Sequence, residues 1–134
     1  MESHSVIIAG SRNLSLDTQT IANTLRLAGY TRDKVWAEIH DKIYIESIIC
    51  GEAAGVDKAG RKFAEKYNIP VESFPANWKN YGRAAGPIRN KDMATVGNSL
   101  VLFWDGKSTG SGSMKSIMLG LGKPVYEVVF KGWS

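Results

Sequence analysis

The 134-residue chain is expected to fold as a single α/β domain, a three-layer sandwich with a mainly parallel five-stranded sheet between two layers of helices. Three observations lead there. Five short apolar runs recur along the chain, segments with helical spacing of apolar residues separate them, and three of the runs end directly in Gly or Asp-Gly turns.

Val6 to Ala9 is the first run, closed by Gly10, and reads as a buried strand. Asp17 can cap a helix running to about Ala28, with Ile21, Leu25 and Ala28 on one face and Gly29 as its stop. Residues 30–46 carry Val35, Ile39, Ile43 and Ile45, which fit a helix or a helix followed by a short extended piece. Ser47 to Cys50 is the second strand, ended by Gly51. Val56, Gly60, Phe63, Ala64 and Tyr67 mark the following helix, which Asn68-Ile69-Pro70 terminates, and Val71 to Phe74 is the third strand. Pro87 suits a first helical turn and opens a helix carrying Ile88, Met93 and Val96. Leu100 to Trp104 is apolar throughout, so it belongs at the centre of the sheet, covered on both faces. Met114, Ile117, Met118 and Leu121 mark the next helix, Gly122 ends it, and Val125 to Val129 is the fifth strand. Alternation of this kind gives a Rossmann-like sheet with right-handed crossovers, and in such sheets ligands bind outside the carboxyl ends of the strands.

Composition narrows the class. Hydrophobic residues make up 43% and charged residues 22%, an ordinary globular balance that argues against disorder. The single cysteine, Cys50, allows no internal disulfide and reads as a small buried hydrophobe. No run approaches the roughly 18 apolar residues needed to cross a bilayer, and the N-terminus lacks a signal-peptide core, so a cytoplasmic protein without a membrane partner is expected. No cluster of metal-ligating residues appears, His4 and His40 read as ordinary surface residues, and neither cofactor nor metal is expected. Charge is divided unevenly: residues 1–78 carry nine Lys/Arg against ten Asp/Glu, residues 79–134 eight against three. A basic second half suits an anionic partner.

The strand ends hold the chemistry. Gly10-Ser11-Arg12 follows the first strand and offers close backbone approach, a hydroxyl and a guanidinium fork. Gly51-Glu52-Ala53-Ala54-Gly55-Val56-Asp57 runs from the second strand into a helix, where free amides form an anion site. There Asp57 can accept from a ribose hydroxyl or serve only the helix dipole. The stretch from Phe74 to Asn90 reads as a long functional loop; Trp78 and Tyr81 offer faces for a base, Arg83 and Arg89 charge, and Asn90 both a donor and an acceptor. Asp105-Gly106-Lys107-Ser108-Thr109-Gly110-Ser111-Gly112-Ser113 joins a buried strand to a helix and reads as a second phosphate cradle, without the Gly-Lys-Ser/Thr ending of a Walker A loop.

These motifs, together with Phe74-Pro75-Ala76, Ala84-Ala85-Gly86-Pro87-Ile88-Arg89-Asn90 and Trp104-Asp105-Gly106-Lys107-Ser108, closely resemble the SLOG superfamily, and within it the small stand-alone YspA-like branch. That superfamily also includes the DNA-processing DprA proteins and the Lonely-guy hydrolases. The resemblance spans nearly the whole chain except residues 30–46. It implies a Rossmann-like domain that binds nucleotides or nucleotide-derived signals at the strand ends. By motif position it nominates Gly10, Ser11, Arg12, Gly51, Gly55, Asp57, Arg89, Asn90, Asp105, Gly106, Lys107 and Ser108. Two departures stand out. Cys50-Gly51-Glu52 replaces the Ser-Gly-Gly of the branch, and the helix beginning near Gly110-Ser111 lacks the glutamate that the hydrolase branch uses on the glycosidic bond.

The leading expectation is therefore a binder of a nucleotide-derived small molecule, acting as a sensor or a sequestering protein. The alternative is an N-glycosidic-bond hydrolase whose carboxylate would be Glu52 or Asp57. Single-stranded nucleic acid ranks third. The aromatic surplus, with four tryptophans, is compatible with a homo-oligomer. A steep fall of affinity with salt is expected only of the nucleic-acid binder, and salt titration of binding separates it from the other two.

Overall fold

The chain, described here over residues 1–51 and 55–130 by a computed structural model, alternates strand and helix along its whole length. In order it forms β1 (Ser3–Gly10), α1 (Thr18–Leu27), β2 (Tyr30–Thr31), α2 (Lys34–Ile39), β3 (Ile43–Gly51), α3 (Val56–Lys66) and β4 (Val71–Phe74). Then come α4 (Trp78–Tyr81), a 3-10 turn at Gly82–Ala84, α5 (Ala85–Val96), β5 (Ser99–Trp104), α6 (Thr109–Gly120) and β6 (Val125–Val129).

All strand pairs are parallel. The order is β2-β3-β1-β5-β6, and the outer edge of β3 is shared. Ile43 and Tyr44 take the two-residue β2, while Ile48 to Gly51 take β4. The five expected strands are thus present. The two-residue sixth comes from the stretch whose structure the sequence left open. That stretch resolves into β2, the short helix α2 and the first residues of β3, so β3 starts four residues before the expected Ser47.

Alternation along β1 builds the two cores. Val6 and Ile8 face one cluster with Ile21 and Leu25 of α1 and Val56, Phe63 and Ala64 of α3. Ile7 and Ala9 face the other, with Met93 and Ala94 of α5 and Met114 and Met118 of α6. Successive strand side chains point to opposite faces, so a strand buried on both sides must be apolar throughout. Val6 to Ala9 of β1 and Leu100 to Phe103 of β5 meet that condition, and Leu100 to Phe103 are fully buried as the sequence predicts. Each large aliphatic side chain buried this way contributes about 1.5–3 kcal/mol, which makes the two central strands the main source of stability.

Local signals behave as read at several ends. Asp17 caps α1 by accepting from the Thr20 amide at 2.8 Å and the Thr20 hydroxyl at 2.7 Å. Three expectations change. The long loop expected from Phe74 to Asn90 is mostly helical, because α4, the 3-10 turn and α5 leave only Pro75–Asn77 without helix or strand. α5 begins two residues ahead of Pro87, and its buried face carries Ala85, Asn90, Met93 and Ala94, so Ile88 and Val96 are exposed. Of the expected stripe Met93 alone meets the sheet, joined there by Ala94.

His4 is the third change, since it is buried, not a surface residue. At the amino end of the sheet its Nδ1 lies 3.0 Å from Ser99 Oγ and its Nε2 lies 2.8 Å from Glu2 Oε2. Tyr30 donates its hydroxyl to Ser99 Oγ at 2.7 Å. Burial pushes the Tyr30 phenol above its ordinary range. Buried polar atoms in this network satisfy one another across segments far apart in sequence, which no local pattern announces.

Lys123 closes the end of α5. Its Nζ donates to the carbonyls of Ala94 at 2.5 Å, Gly97 at 2.8 Å and Thr95 at 3.3 Å. These are the orphan acceptors of a helix C-terminus, and a cation there also favours the macrodipole. Lys123→Met is expected to lower the unfolding free energy by about 1–3 kcal/mol with an unchanged denaturant slope, measured by urea titration.

Candidate functional site

The chain builds outward from β1 through β3 to β4, then returns to lay β5 on the opposite side of β1. Loops leaving β1 and β5 therefore part in opposite directions, and the crevice at such a switch point is where open parallel sheets place their ligands. A cleft of about 760 Å³ opens there.

Its base is set by how closely β1 and β5 approach. A Cβ at Gly10 would run into the Phe103 carbonyl oxygen and come within 2.8 Å of Val56 Cγ2. The Ser11 amide donates to that same carbonyl at 3.0 Å. Ser11 is buried, and its hydroxyl accepts from the Asp105 amide at 3.0 Å. Ser108 Oγ lies 3.3 Å from Ser11 Oγ and 3.1 Å from Asp105 Oδ2. Asp105 Oδ1 accepts from the amides of Ser108 and Lys107, both at 2.8 Å. The Ser108 and Lys107 amides hold the Asp105 carboxyl below the usual carboxylate range. Ser11 and Asp105 thus commit most of their hydrogen bonding to joining the two loops.

The far wall comes from α4, α5 and α6. Asn90 donates its amide to the Gly110 carbonyl at 3.3 Å and accepts Arg89 Nε at 3.0 Å. Arg89 Nη1 also reaches the Phe74 carbonyl at 3.5 Å. A Cβ at Gly51 would collide with Arg89 Nη1 and approach Asp57 Oδ2 to 2.8 Å. The absent side chain at Gly51 makes room for this cation and this buried carboxylate, so the glycine serves the protein's own groups.

Eleven of the residues predicted from sequence line the cleft together: Gly10, Ser11, Arg12, Asp57, Trp78, Arg89, Asn90, Asp105, Ser108, Gly110 and Ser111. Arg83 joins them, and Ala9, Met93 and Met114 supply apolar lining. Trp78 stands 52% exposed against this cleft, with Gly86 the neighbour of its ring edge, so it is not packed into the core. Tyr81, Gly106 and Lys107 lie off the cleft, as does Gly51. Gly55 lines a smaller neighbouring groove. Its φ of +74° and its close approach to the Ser11 and Arg12 carbonyls, at 2.6 and 2.5 Å from a hypothetical Cβ, leave room only for glycine. Those two carbonyl oxygens approach the backbone at the start of α3, the end of the stretch read from sequence as an anion site. Glu52, Ala53 and Ala54 lie outside the described residues.

Thr109 and Ser113 of the expected cradle also line the cleft, as does Asn13, which was not singled out beforehand. Met93 and Met114 read as core from their helical spacing, and they are core as well as cleft lining. The sequence holds no separate mark for the second role, because the cleft is cut into the core surface.

At the start of α6 the Gly112 amide donates to the Ser108 carbonyl at 3.1 Å, so the amides of Thr109, Gly110 and Ser111 precede the first helical bond. This turn faces a cleft that holds Arg12, Arg83 and Arg89. Among the described residues the carboxylates lining it are Asp57 and Asp105, the latter already surrounded by amides. The balance favours an anion.

Neither a family model nor a solved structure matches the chain. Over 90 residues it is 30% identical to the Gene 61 protein of Mycobacterium phage D29, an alignment covering 60% of this chain and 72% of that protein.

The depressed Asp105 carboxyl makes a pH test. Its contribution to stability is complete above the ordinary aspartate pKa of about 3.9 and is lost as pH falls through the lower folded value. Urea midpoints of the wild type are expected to fall between pH 6 and pH 3 by more than those of Asp105→Asn. Equal losses would remove the loop-joining role assigned to this carboxylate.

Proposed function

Because the chain belongs to the family of the Gene 61 protein of Mycobacterium phage D29, whose name states no activity, we propose its function from the cleft: it binds a nucleotide-derived small molecule, as a sensor or a sequestering protein. The observation that carries this reading is the meeting, in one cleft of about 760 Å³, of the open first turn of α6, three arginines and an accessible tryptophan.

Each part suits a different portion of such a ligand. The amides of Thr109–Ser111 and the guanidinium groups of Arg12 and Arg83 complement a phosphate. The exposed Trp78 face can stack on a base, worth about 1–3 kcal/mol per base in proteins that use this contact. Ala9, Met93 and Met114 offer apolar surface between them. The volume falls within the roughly 300–1,000 Å³ of small-molecule sites. The resemblance of the strand-end motifs to the SLOG superfamily supports the same reading from an independent direction.

Glycosidic cleavage is the competing reading, and Asp57 is the described carboxylate able to serve it: buried, cleft-lining and close to Arg89 at Gly51. Cleavage through an oxocarbenium-like state generally needs a positioned carboxylate, and the first turn of α6, where the hydrolase branch carries its glutamate, holds no acid. Binding is therefore preferred.

The test is a thermal-shift and calorimetric panel of 5′-AMP, ADP-ribose and a cyclic dinucleotide, with mass spectrometry of small molecules released from the purified protein. At least one nucleotide is expected to bind and return unchanged. Trp78→Ala and Arg83→Ala are each expected to weaken it by about 1–3 kcal/mol. These exposed residues are chosen over Arg89, which also holds Asn90 and Phe74 in place. No Tm shift and no released nucleotide would overturn the reading. Accumulating free base would make the protein a hydrolase, and Asp57→Asn should then abolish turnover while sparing binding.

A further inference from the structure

A smaller groove of about 270 Å³ adjoins the cleft. Arg12 and Asn13 line both, so the two spaces meet across the turn that follows β1. Three cations, Arg12, Lys58 and Lys62, line the groove, and among the described residues no carboxylate does. None of the three makes an ion pair among the described residues.

This arrangement works against the helix that carries it. Lys58 and Lys62 sit four residues apart on α3, a like-charge spacing that destabilises an isolated helix by a few tenths of a kcal/mol. Lys58 is the third residue of α3, where the macrodipole is positive, and the acid of that turn, Asp57, is buried and lines the main cleft, not the groove. Gly55, at the helix start, contributes no side-chain cap. Arg12 then adds a third positive charge from a separate segment. The groove is thus an exposed concentration of positive charge from two segments, which suits an anion from outside.

We propose that the ligand carries two phosphate-bearing units, one in the main cleft and one in this groove beside Lys58 and Lys62, with Arg12 between them, and is therefore a dinucleotide. The inference rests on the nucleotide-binding reading above and adds the ligand class. One ligand with two anionic ends neutralises both basins at a single cost in lost translational freedom, which is why it outcompetes a mononucleotide.

The experiment compares 5′-AMP with 5′-phosphorylated diadenylate on the full chain by calorimetry, in about 150 mM salt so that charges beyond roughly 8 Å are screened. Wild type is expected to bind the diadenylate about tenfold or more tighter than AMP. Lys58→Glu with Lys62→Glu is expected to erase that preference while AMP affinity stays within about twofold, because these lysines line only the groove. Lys58→Gln with Lys62→Gln should show the same pattern more weakly, and a Tm at or above that of the wild type confirms that both variants fold. If AMP binds but the diadenylate has no advantage, or if the substitutions weaken both probes equally, the dinucleotide inference falls and the nucleotide reading stands. If neither probe binds, both fall. Affinity that keeps rising with strand length through a decamer would make the ligand a nucleic-acid strand and overturn the inference.

Discussion

The contact between the ends of β1 and β5 is the constraint from which the cleft follows. Gly10 pairs with Phe103 in the parallel register, and the missing side chain at Gly10 lets the Phe103 carbonyl come close. The Ser11 amide then takes that carbonyl, and the buried Ser11 hydroxyl takes the Asp105 amide. Unpaired polar groups in such a place would cost a few kcal/mol, so these bonds leave the two turns little freedom. Asp105 in turn orders the amides of Lys107 and Ser108, which sets where α6 begins. The open turn at Thr109–Ser111 is thus positioned by a chain of hydrogen bonds that starts at a glycine in β1.

The other wall is held by separate means. Asn90 ties α5 to the Gly110 carbonyl, Arg89 ties it to the end of β4, and Lys123 fastens its far end. α5 packs on the sheet through Met93 and Ala94, and Asn90, one turn earlier, is buried facing the cleft. The helix therefore carries a buried asparagine and a partly buried arginine at positions where a bulkier face would have closed the cleft. Local preferences are broken here, with a buried asparagine and a partly buried arginine on one helix. Natural proteins concentrate such conflicts at functional sites.

Much of this was legible beforehand. Asp17 caps α1, β4 and β6 lie where they were read, and β5 is central and buried, because capping chemistry and apolar periodicity act within a few residues. Of the site, the residues on the turns after β1 and before α6 were found, since strand ends in an alternating α/β chain converge on one edge of the sheet. The segment from Phe74 to Asn90 misled because its Gly, Pro and Asn content resembles a loop, while α5 gains its helical state by docking on the sheet and α4 lies against α5.

The sequence by itself determined the alternation of strands and helices, the two-sided burial of the central strands and the edge of the sheet where polar and glycine-rich turns gather. Those properties depend on short-range periodicity, which a linear string displays in full. Only the tertiary structure decided what each residue does there. It assigned Gly51 to make room for Arg89 and Asp57, placed His4 in a buried network with Ser99 and Tyr30, and set Arg12 between two basins. Each of these outcomes depends on groups tens of residues apart meeting in space. The strand order governs those meetings, and it is fixed by the summed packing of both faces of the sheet.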